Sequence, residues 1–180
     1  MSKKEGTGFY TWADGSTYNG QWLDNKIEGF GTYLWIDGRK YYGQWKSNDM
    51  HGHGIYLYAD GIRYDGDYQN DKKEGYGSYL WTDGRRYDGW WHKGKQHGLG
   101  TYIVAEKNSK KYGLWENGKR VTWFDEPTIV LINQGRYDVR SHFKDEKSAA
   151  ALKPNESFKK PDYYDDAMLR VRRMLNITFE

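Results

Sequence analysis

Glycine recurs in this chain with a period of 23 residues, and that spacing constrains the fold more than any other feature. Gly6, Gly29, Gly52, Gly75 and Gly98 are evenly spaced, and so are Gly8, Gly31, Gly54, Gly77 and Gly100. Tyr10, Tyr33, Tyr56, Tyr79 and Tyr102 keep the same period, followed by Trp12, Trp35, Tyr58 and Trp81, then by Asp-Gly at 14–15, 37–38, 60–61 and 83–84. Each unit closes with Tyr-x-Gly-x-aromatic: Tyr18, Gly20, Trp22; Tyr41, Gly43, Trp45; Tyr64, Gly66, Tyr68; Tyr87, Gly89, Trp91. A period of this length marks a repeat array in which each unit is one supersecondary motif.

Each unit reads as a β-hairpin. Gly31 to Trp35 is a short aromatic strand, Ile36 to Lys40 a turn, and Tyr41 to Trp45 the returning strand. Asp-Gly between such runs favours a hairpin, because glycine accepts a positive φ without steric cost. A three-residue loop with glycine in the left-handed position puts Tyr33 and Trp35 on the same face as Tyr41, Gly43 and Trp45. A two-residue loop would place the two aromatic sets on opposite faces, since a slip of one residue inverts every side chain. The first register is favoured because it sets flat rings against bare glycine backbone. A lone hairpin is marginal in water, so the units must stack. With strands about 4.8 Å apart, five hairpins give a twisted antiparallel ribbon roughly 50 Å long.

The predicted fold is therefore mostly β: an elongated antiparallel β-hairpin repeat solenoid of five 23-residue repeats, with an irregular C-terminal extension ending in one α-helix. The array occupies residues 1–123 and the extension 124–180. The fifth unit departs from the pattern: Val104 replaces the ring, Glu106-Lys107 stands in place of Asp-Gly, and one extra residue moves the closing positions to Lys111, Gly113 and Trp115. A terminal repeat that caps the stack accounts for this. The composition fits a thin fold: mean hydropathy is −1.07, yet 17 Tyr and 9 Trp supply large burial with polar tips.

Beyond Trp123 the period ends. Pro127, Asn133-Gln-Gly135 and Lys153-Pro154-Asn155 punctuate the tail, Thr128 to Ile132 reads as a buried strand, and Lys144 to Lys160 as irregular chain. Pro161-Asp162 opens a helix over about 162–176, with Asp165 and Asp166 in its first turn and Arg170, Arg172 and Arg173 near its end, as the helix dipole favours. Tyr164, Met168, Val171 and Leu175 form its apolar face. That face either packs across the chain's own sheet or serves as a docking arm.

The chemistry-bearing residues follow the repeat. Among His51, His53, His92, His97 and His142, His51 and His97 share a slot with Glu28 and Glu74, which reads as a loop position pairing along the stack. A zinc site needs three or four convergent ligands and an EF-hand needs regularly spaced oxygens, so neither metal nor cofactor is expected. No Ser-His-Asp or Cys-His spacing suggests an enzyme, and Gly-x-Gly here is structural. There is no cysteine. Net charge is +3: residues 1–123 carry 18 Lys and Arg against 15 Asp and Glu, the remainder 10 against 10. This lacks the clustered basic stripe of a nucleic-acid protein. Without a signal-like N-terminus or a long apolar run, an intracellular, cytoplasmic location is the expectation.

The pattern Tyr-x-Gly-x-Trp-x-x-x-x-x-His/Glu-Gly-x-Gly-x-Tyr-x-x-x-Asp-Gly, matched from Tyr41 to Gly61 and from Tyr87 to Gly100, resembles the MORN repeat (membrane occupation and recognition nexus) over residues 5 to about 123. The resemblance implies a β-hairpin solenoid used for protein–protein or protein–lipid contact. Such repeats occur in membrane-junction proteins, beside lipid-kinase domains, in flagellar radial spokes and in protist cytoskeletal scaffolds. The chain carries neither the Gly-rich phosphate loop nor the catalytic Asp motif of a kinase.

Two binding expectations result. The first is a protein partner, within a larger ciliary, axonemal or cytoskeletal assembly, held by Tyr33, Trp35, Tyr56, Tyr58, Tyr79 and Trp81 and by the helix face of Tyr164, Met168, Val171 and Leu175. The alternative is weak contact with anionic lipid through Arg39, Lys40, Arg63, Arg85 and Arg86, each contributing about 1 kcal/mol near a charged surface. Each turn also carries an Asp, which weighs against the lipid reading.

Overall fold

In a computed structural model, which describes residues 3–107, 109–153 and 156–176, the glycine period becomes a succession of antiparallel strands. Pro154 and Asn155, expected as tail punctuation, lie outside the described residues. Eleven strands follow in chain order: β1 (Gly6–Thr11), β2 (Thr17–Leu23), β3 (Lys26–Leu34), β4 (Lys40–Lys46), β5 (Asp49–Leu57), β6 (Arg63–Gln69), β7 (Lys72–Leu80), β8 (Arg85–His92), β9 (Lys95–Val104), β10 (Ser109–Glu116) and β11 (Lys119–Trp123). Three helices come after them: α1 (Glu126–Asn133), α2 (Glu146–Ala150) and α3 (Tyr163–Leu175). The chain forms two compact units, Met1–Lys72 with Asp162–Glu180, and Lys73–Pro161. The tail is thus divided: α3 belongs to the first unit, residues 124–161 to the second.

Two kinds of turn alternate. Within a repeat, Trp12 N–H donates to Ser16 O at 2.9 Å and Gly15 N–H to Trp12 O at 3.0 Å, with Gly15 at φ 90°. This is the three-residue loop expected from Asp-Gly, and the Asp14 carboxylate closes it by accepting from Ser16 N–H at 2.9 Å. Tyr10 consequently faces Tyr18, Tyr33 faces Tyr41, Tyr56 faces Tyr64 and Tyr79 faces Tyr87. Between repeats the chain turns through two residues with positive φ: Asp24-Asn25, Ser47-Asn48, Asn70-Asp71, Lys93-Gly94 and Asn117-Gly118. Two successive left-handed residues match the twist of paired strands, and Asn and Asp tolerate the conformation better than other side chains. In the fifth unit Gly113 pairs with Gly100 and Trp115 with Gly98, so Lys111, Gly113 and Trp115 do hold the closing positions.

One contact repeats through the array. The Tyr18 ring lies across Gly20 and Gly31, and a Cβ at either glycine would overlap it. Tyr41 covers Gly43 and Gly54 in the same way, and Tyr87 covers Gly89 and Gly100. Tyr18, Tyr41, Tyr64 and Tyr87 are fully buried. Each hydroxyl donates to a carbonyl three residues on, Tyr18 to Gln21 O at 3.1 Å and Tyr41 to Gln44 O at 2.9 Å. The buried phenol thereby keeps a hydrogen bond, and burial pushes its pKa well above the usual value. The closing Trp adds an indole N–H bond to the opening strand: Trp22 to Gly8 O, Trp45 to Gly31 O and Trp91 to Gly77 O, all at 3.3 Å.

The tail corrects two expectations. Thr128 to Ile132 lies in α1 and is not a strand: Asp125 caps the helix by accepting from Thr128 N–H at 3.1 Å, Pro127 suits the first turn, and Ile129 and Ile132 are buried three residues apart. The β-branched run is overridden by its cap and by a 3.6-residue period. Lys144 to Lys160 is not wholly irregular, because Asp145 caps α2 by accepting from Ser148 N–H at 2.7 Å. α3 matches expectation, with Asp165 and Asp166 at its start, Arg172 and Arg173 at its end, and left-handed Asn176 closing it.

A tail residue also completes a repeat. Gln21 Oε1 accepts from Phe30 N–H at 2.7 Å and Gln44 Oε1 from His53 N–H at 2.8 Å, each filling the space beside a positive-φ glycine, Gly29 or Gly52. In the fourth repeat Trp90 replaces this glutamine. Glu156 enters instead, filling the space beside Gly98, with Oε2 accepting from Leu99 N–H at 3.2 Å and Oε1 from Lys153 N–H at 2.6 Å. Burial raises its pKa to about 7.

Gly54→Ala forces a Cβ into the Tyr41 ring and should cost about 3 kcal/mol in thermal or chemical unfolding. Gly8→Ala, where only Trp22 lies within 4 Å, at 3.8 Å, should change stability by no more than about 0.5 kcal/mol. Glu156→Ala should cost about 1–3 kcal/mol and abolish hydrogen-exchange protection of the Leu99 amide. Because the folded pKa of Glu156 lies above the unfolded value of about 4.3, the folded protein holds this proton more tightly. Its contribution is greatest below the unfolded pKa and declines as pH rises towards about 7. The wild-type melting temperature, compared with that of Glu156→Ala, should fall between pH 5 and pH 8.

Candidate functional site

Strand alternation gives each unit a front face and a back face. The front carries Tyr-x-Gly-x-aromatic and its partner Gly-x-Gly-x-Tyr-x-aromatic. The intervening residues make the back. In the first unit α3 crosses β3, β4, β5 and β6. Its contacts are with back-face groups: Tyr164 Oη donates to Asp65 O at 2.7 Å, Tyr163 Oη donates to Asp67 Oδ2 at 2.7 Å, the Tyr164 ring meets His53 edge-on at 5.0 Å, and Arg170 lies 5.6 Å from the centre of the Phe30 ring. Phe30, His53 and Ile55 are buried on this side.

Tyr164, Met168 and Val171 are buried with α3, and Leu175 is half-buried. The first three, read from the sequence as candidate docking residues, are used on the chain's own sheet. Packing across that sheet is the alternative that holds.

The front face of the first unit has no such cover among the described residues. Its rings form a continuous file: Trp12 to Tyr33 at 4.9 Å, Tyr33 to Trp35 at 4.5 Å, Trp35 to Tyr56 at 5.5 Å and Tyr56 to Tyr58 at 4.6 Å. A groove of about 460 Å³ is lined by Trp12, Tyr33, Trp35 and Tyr56 of this file, together with Trp45, Met50, Arg39 and Asp71. Tyr33, Trp35 and Tyr58 are half-buried and offer ring surface. Tyr56 is only 7% exposed and belongs to the core, its hydroxyl accepting from Arg39 Nη1 at 3.2 Å. The sequence reading missed Trp12 as a groove residue, although it holds the same repeat position as Trp35.

In the second unit Tyr79 and Trp81 lie 4.8 Å apart and both are half-buried. Lys73 places its ammonium 4.8 Å from the centres of the Tyr79 and Trp91 rings, and burial lowers its pKa to about 8. A cation over these rings is held by the negative face of their π-systems. Lys4 does the same at Tyr10 (3.2 Å) and Trp22 (4.7 Å), in the equivalent repeat position.

The basic turn residues are paired. Arg39 Nε bonds Asp37 Oδ2 at 2.7 Å and Arg85 Nε bonds Asp83 Oδ2 at 2.6 Å. Arg63 grips Asp65 with two bonds of 2.7 and 2.6 Å, and Arg86 bonds Asp88 at 2.8 Å. Lys40 is exposed at the start of β4.

In the slot shared by Glu and His, three residues cap the next turn: Glu28 accepts from Ser47 N–H at 2.9 Å, Glu74 from Lys93 N–H at 2.9 Å, and His97 Nδ1 from Asn117 N–H at 3.3 Å. His97 Nε2–H then donates to Ser148 O at 2.8 Å, and burial lowers the ring's pKa. Among the described residues no three His, Cys, Asp or Glu side chains converge as metal ligands, and no helix is long and apolar enough to cross a membrane.

The comparisons with known proteins agree with this geometry. No curated protein matches the chain. The MORN repeat family matches residues 1–17, 18–38, 41–63, 64–85 and 87–104; the first match covers β1, and each of the others takes in the closing strand of one repeat and the opening strand of the next. Repeats of this kind indicate a scaffold or interaction module. With more than half of its length matched, the chain belongs to the MORN repeat family.

Proposed function

We propose that this chain is a non-enzymatic scaffold that receives an extended or helical segment of a protein partner on its front face, as an accessory subunit of a larger assembly. The observation that carries this reading is the division of labour in the first unit. α3 covers the back of the sheet, while Trp12, Tyr33 and Trp35 line a groove on the front that no described residue covers. Half-buried Trp and Tyr give contact area at low entropic cost and dominate many interfaces. The non-catalytic part of the reading is supported by the ionisable side chains, which act as turn caps and ion pairs within the repeat. A ciliary or cytoskeletal assembly is suggested by the family resemblance alone.

Binding of anionic lipid through Arg39, Lys40, Arg63, Arg85 and Arg86 is the weaker reading. Four of the five are within 2.8 Å of an aspartate, which cancels most of the charge a head group would meet.

The test is affinity purification of the tagged protein from its own cells, with crosslinking mass spectrometry. A protein partner should crosslink beside the groove, and Tyr33→Ala with Trp35→Ala should weaken its capture by about tenfold or more. Arg85→Glu with Arg86→Glu should leave that capture intact. Loss of liposome binding in the arginine variant, with no protein recovered by the wild type, would replace this reading with the lipid one.

A further inference from the structure

The inner repeats show what a Gly-x-Gly-x-Tyr strand receives from the strand before it. β3 takes three things from β2: backbone pairing, the Tyr18 ring over Gly31, and Gln21 Oε1 on the Phe30 N–H beside Gly29. β5 takes the same three from β4, through Tyr41 and Gln44. β9 receives its ring from Tyr87 and its carboxylate oxygen from Glu156, a residue outside the repeats. That last case shows that a vacancy of this kind is filled even when the neighbouring strand lacks the group.

β1 has the same sequence features and, among the described residues, none of the three partners. There it pairs on one side, with β2. Gly8 occupies the position of Gly31 and Gly54, yet no tyrosine covers it, and only Trp22 lies within 4 Å. Gly6 keeps the positive φ of Gly29 and Gly52, at 78°, with nothing within 4 Å. Thr7 stands where Phe30 and His53 stand, so its N–H faces the open edge. Protected sheet edges carry charges, prolines or bulges, but Gly6–Thr11 contains none of these and exposes 67% of Phe9.

The geometry points to β1 as a docking edge for a strand of sequence Tyr-x-Gly-Gln/Glu-aromatic, the closing strand of another hairpin array, added antiparallel to it. The donated tyrosine lies over Gly8, and the donated Gln or Glu oxygen accepts from Thr7 N–H. This is β-augmentation with a side-chain code: backbone bonds supply affinity and the two vacancies supply selectivity. A second copy of this chain is a poor donor: β2, β4 and β8 are already paired on both sides within their units, β6 carries Asp67 where the Gln or Glu belongs, and β11 reads Lys-Arg-Val-Thr-Trp. The edge is separate from the front groove, so this proposal and the groove reading stand or fall independently.

The probe is the capped peptide of this chain's own β4, Lys40–Lys46, titrated into the isotopically labelled protein and followed by NMR. Amide shifts confined to Gly6–Thr11, with contacts from a tyrosine ring to Gly8, are expected. Gly8→Ala has room to fold but no room for the ring, and should weaken binding about tenfold. A peptide with Leu in place of its Tyr41 should weaken it similarly with the protein untouched. Absence of shifts at millimolar peptide, or equal affinity in both variants, overturns the proposal. So does a free protein that sediments as two chains and as one after Gly8→Ala, since the edge would then take a second copy.

Discussion

A tyrosine ring lying flat across two glycines is the contact on which the array depends. Tyr18 belongs to one hairpin, and so does Gly20, but Gly31 belongs to the next. The ring is therefore shared property: it is buried only when two successive units are present and in register. Glycine in a strand costs about 0.5–1 kcal/mol in backbone freedom, and burying a ring offsets several such losses. The hydroxyl bond to the carbonyl three residues on removes the polar penalty that would otherwise favour phenylalanine. Within each compact unit, successive repeats are thus coupled by one side chain, the nearest-neighbour logic of a repeat protein.

Because these rings need the front face, the two faces took different roles. The front is periodic, since every unit must offer the same glycines and the same tyrosine. The back is free of that demand and differs from unit to unit: Thr7, Phe30, His53, Tyr76 and Leu99 hold one equivalent position. This irregular face is where the tail attaches. α3 lies on it in the first unit, and in the second Trp90 Nε1 donates to Ser157 O at 3.3 Å while Phe158 meets Tyr112 at 5.2 Å. Among the described residues of the first unit, the regular aromatic side stays open.

The hairpins were legible because their determinants are local and repeated. Asp14, Gly15 and the aromatic spacing specify both the loop and the register. The turns between repeats were harder to read, since Asp24-Asn25, Ser47-Asn48 and Lys93-Gly94 share a conformation and not a residue. α1 was misread because Ile129, Val130 and Ile132 suggest a strand, and only the Asp125 cap with the three-residue burial spacing indicates otherwise. The candidate groove was half legible: periodicity placed Tyr33 and Trp35 on one face, but alternation alone could not show Tyr56 sinking to 7% exposure. Glu156 was beyond reach, as its partner Leu99 is 57 residues away and nothing in the tail announces the pairing.

The matched tail has a consequence for how such a chain can change. Unequal recombination easily adds or removes 23-residue units, and on the front face a new unit would be indistinguishable from the old ones. On the back it would not. Tyr163 and Tyr164 need the carboxylate of Asp67 and the carbonyl of Asp65, and Glu156 needs a repeat that has Trp90 in place of glutamine. An interchangeable copy inserted among these strands would offer the wrong side chains to a segment already committed to its neighbours. The tail therefore gives the repeats individual addresses and makes their number heritable as a whole, turning an open-ended series into one of fixed length.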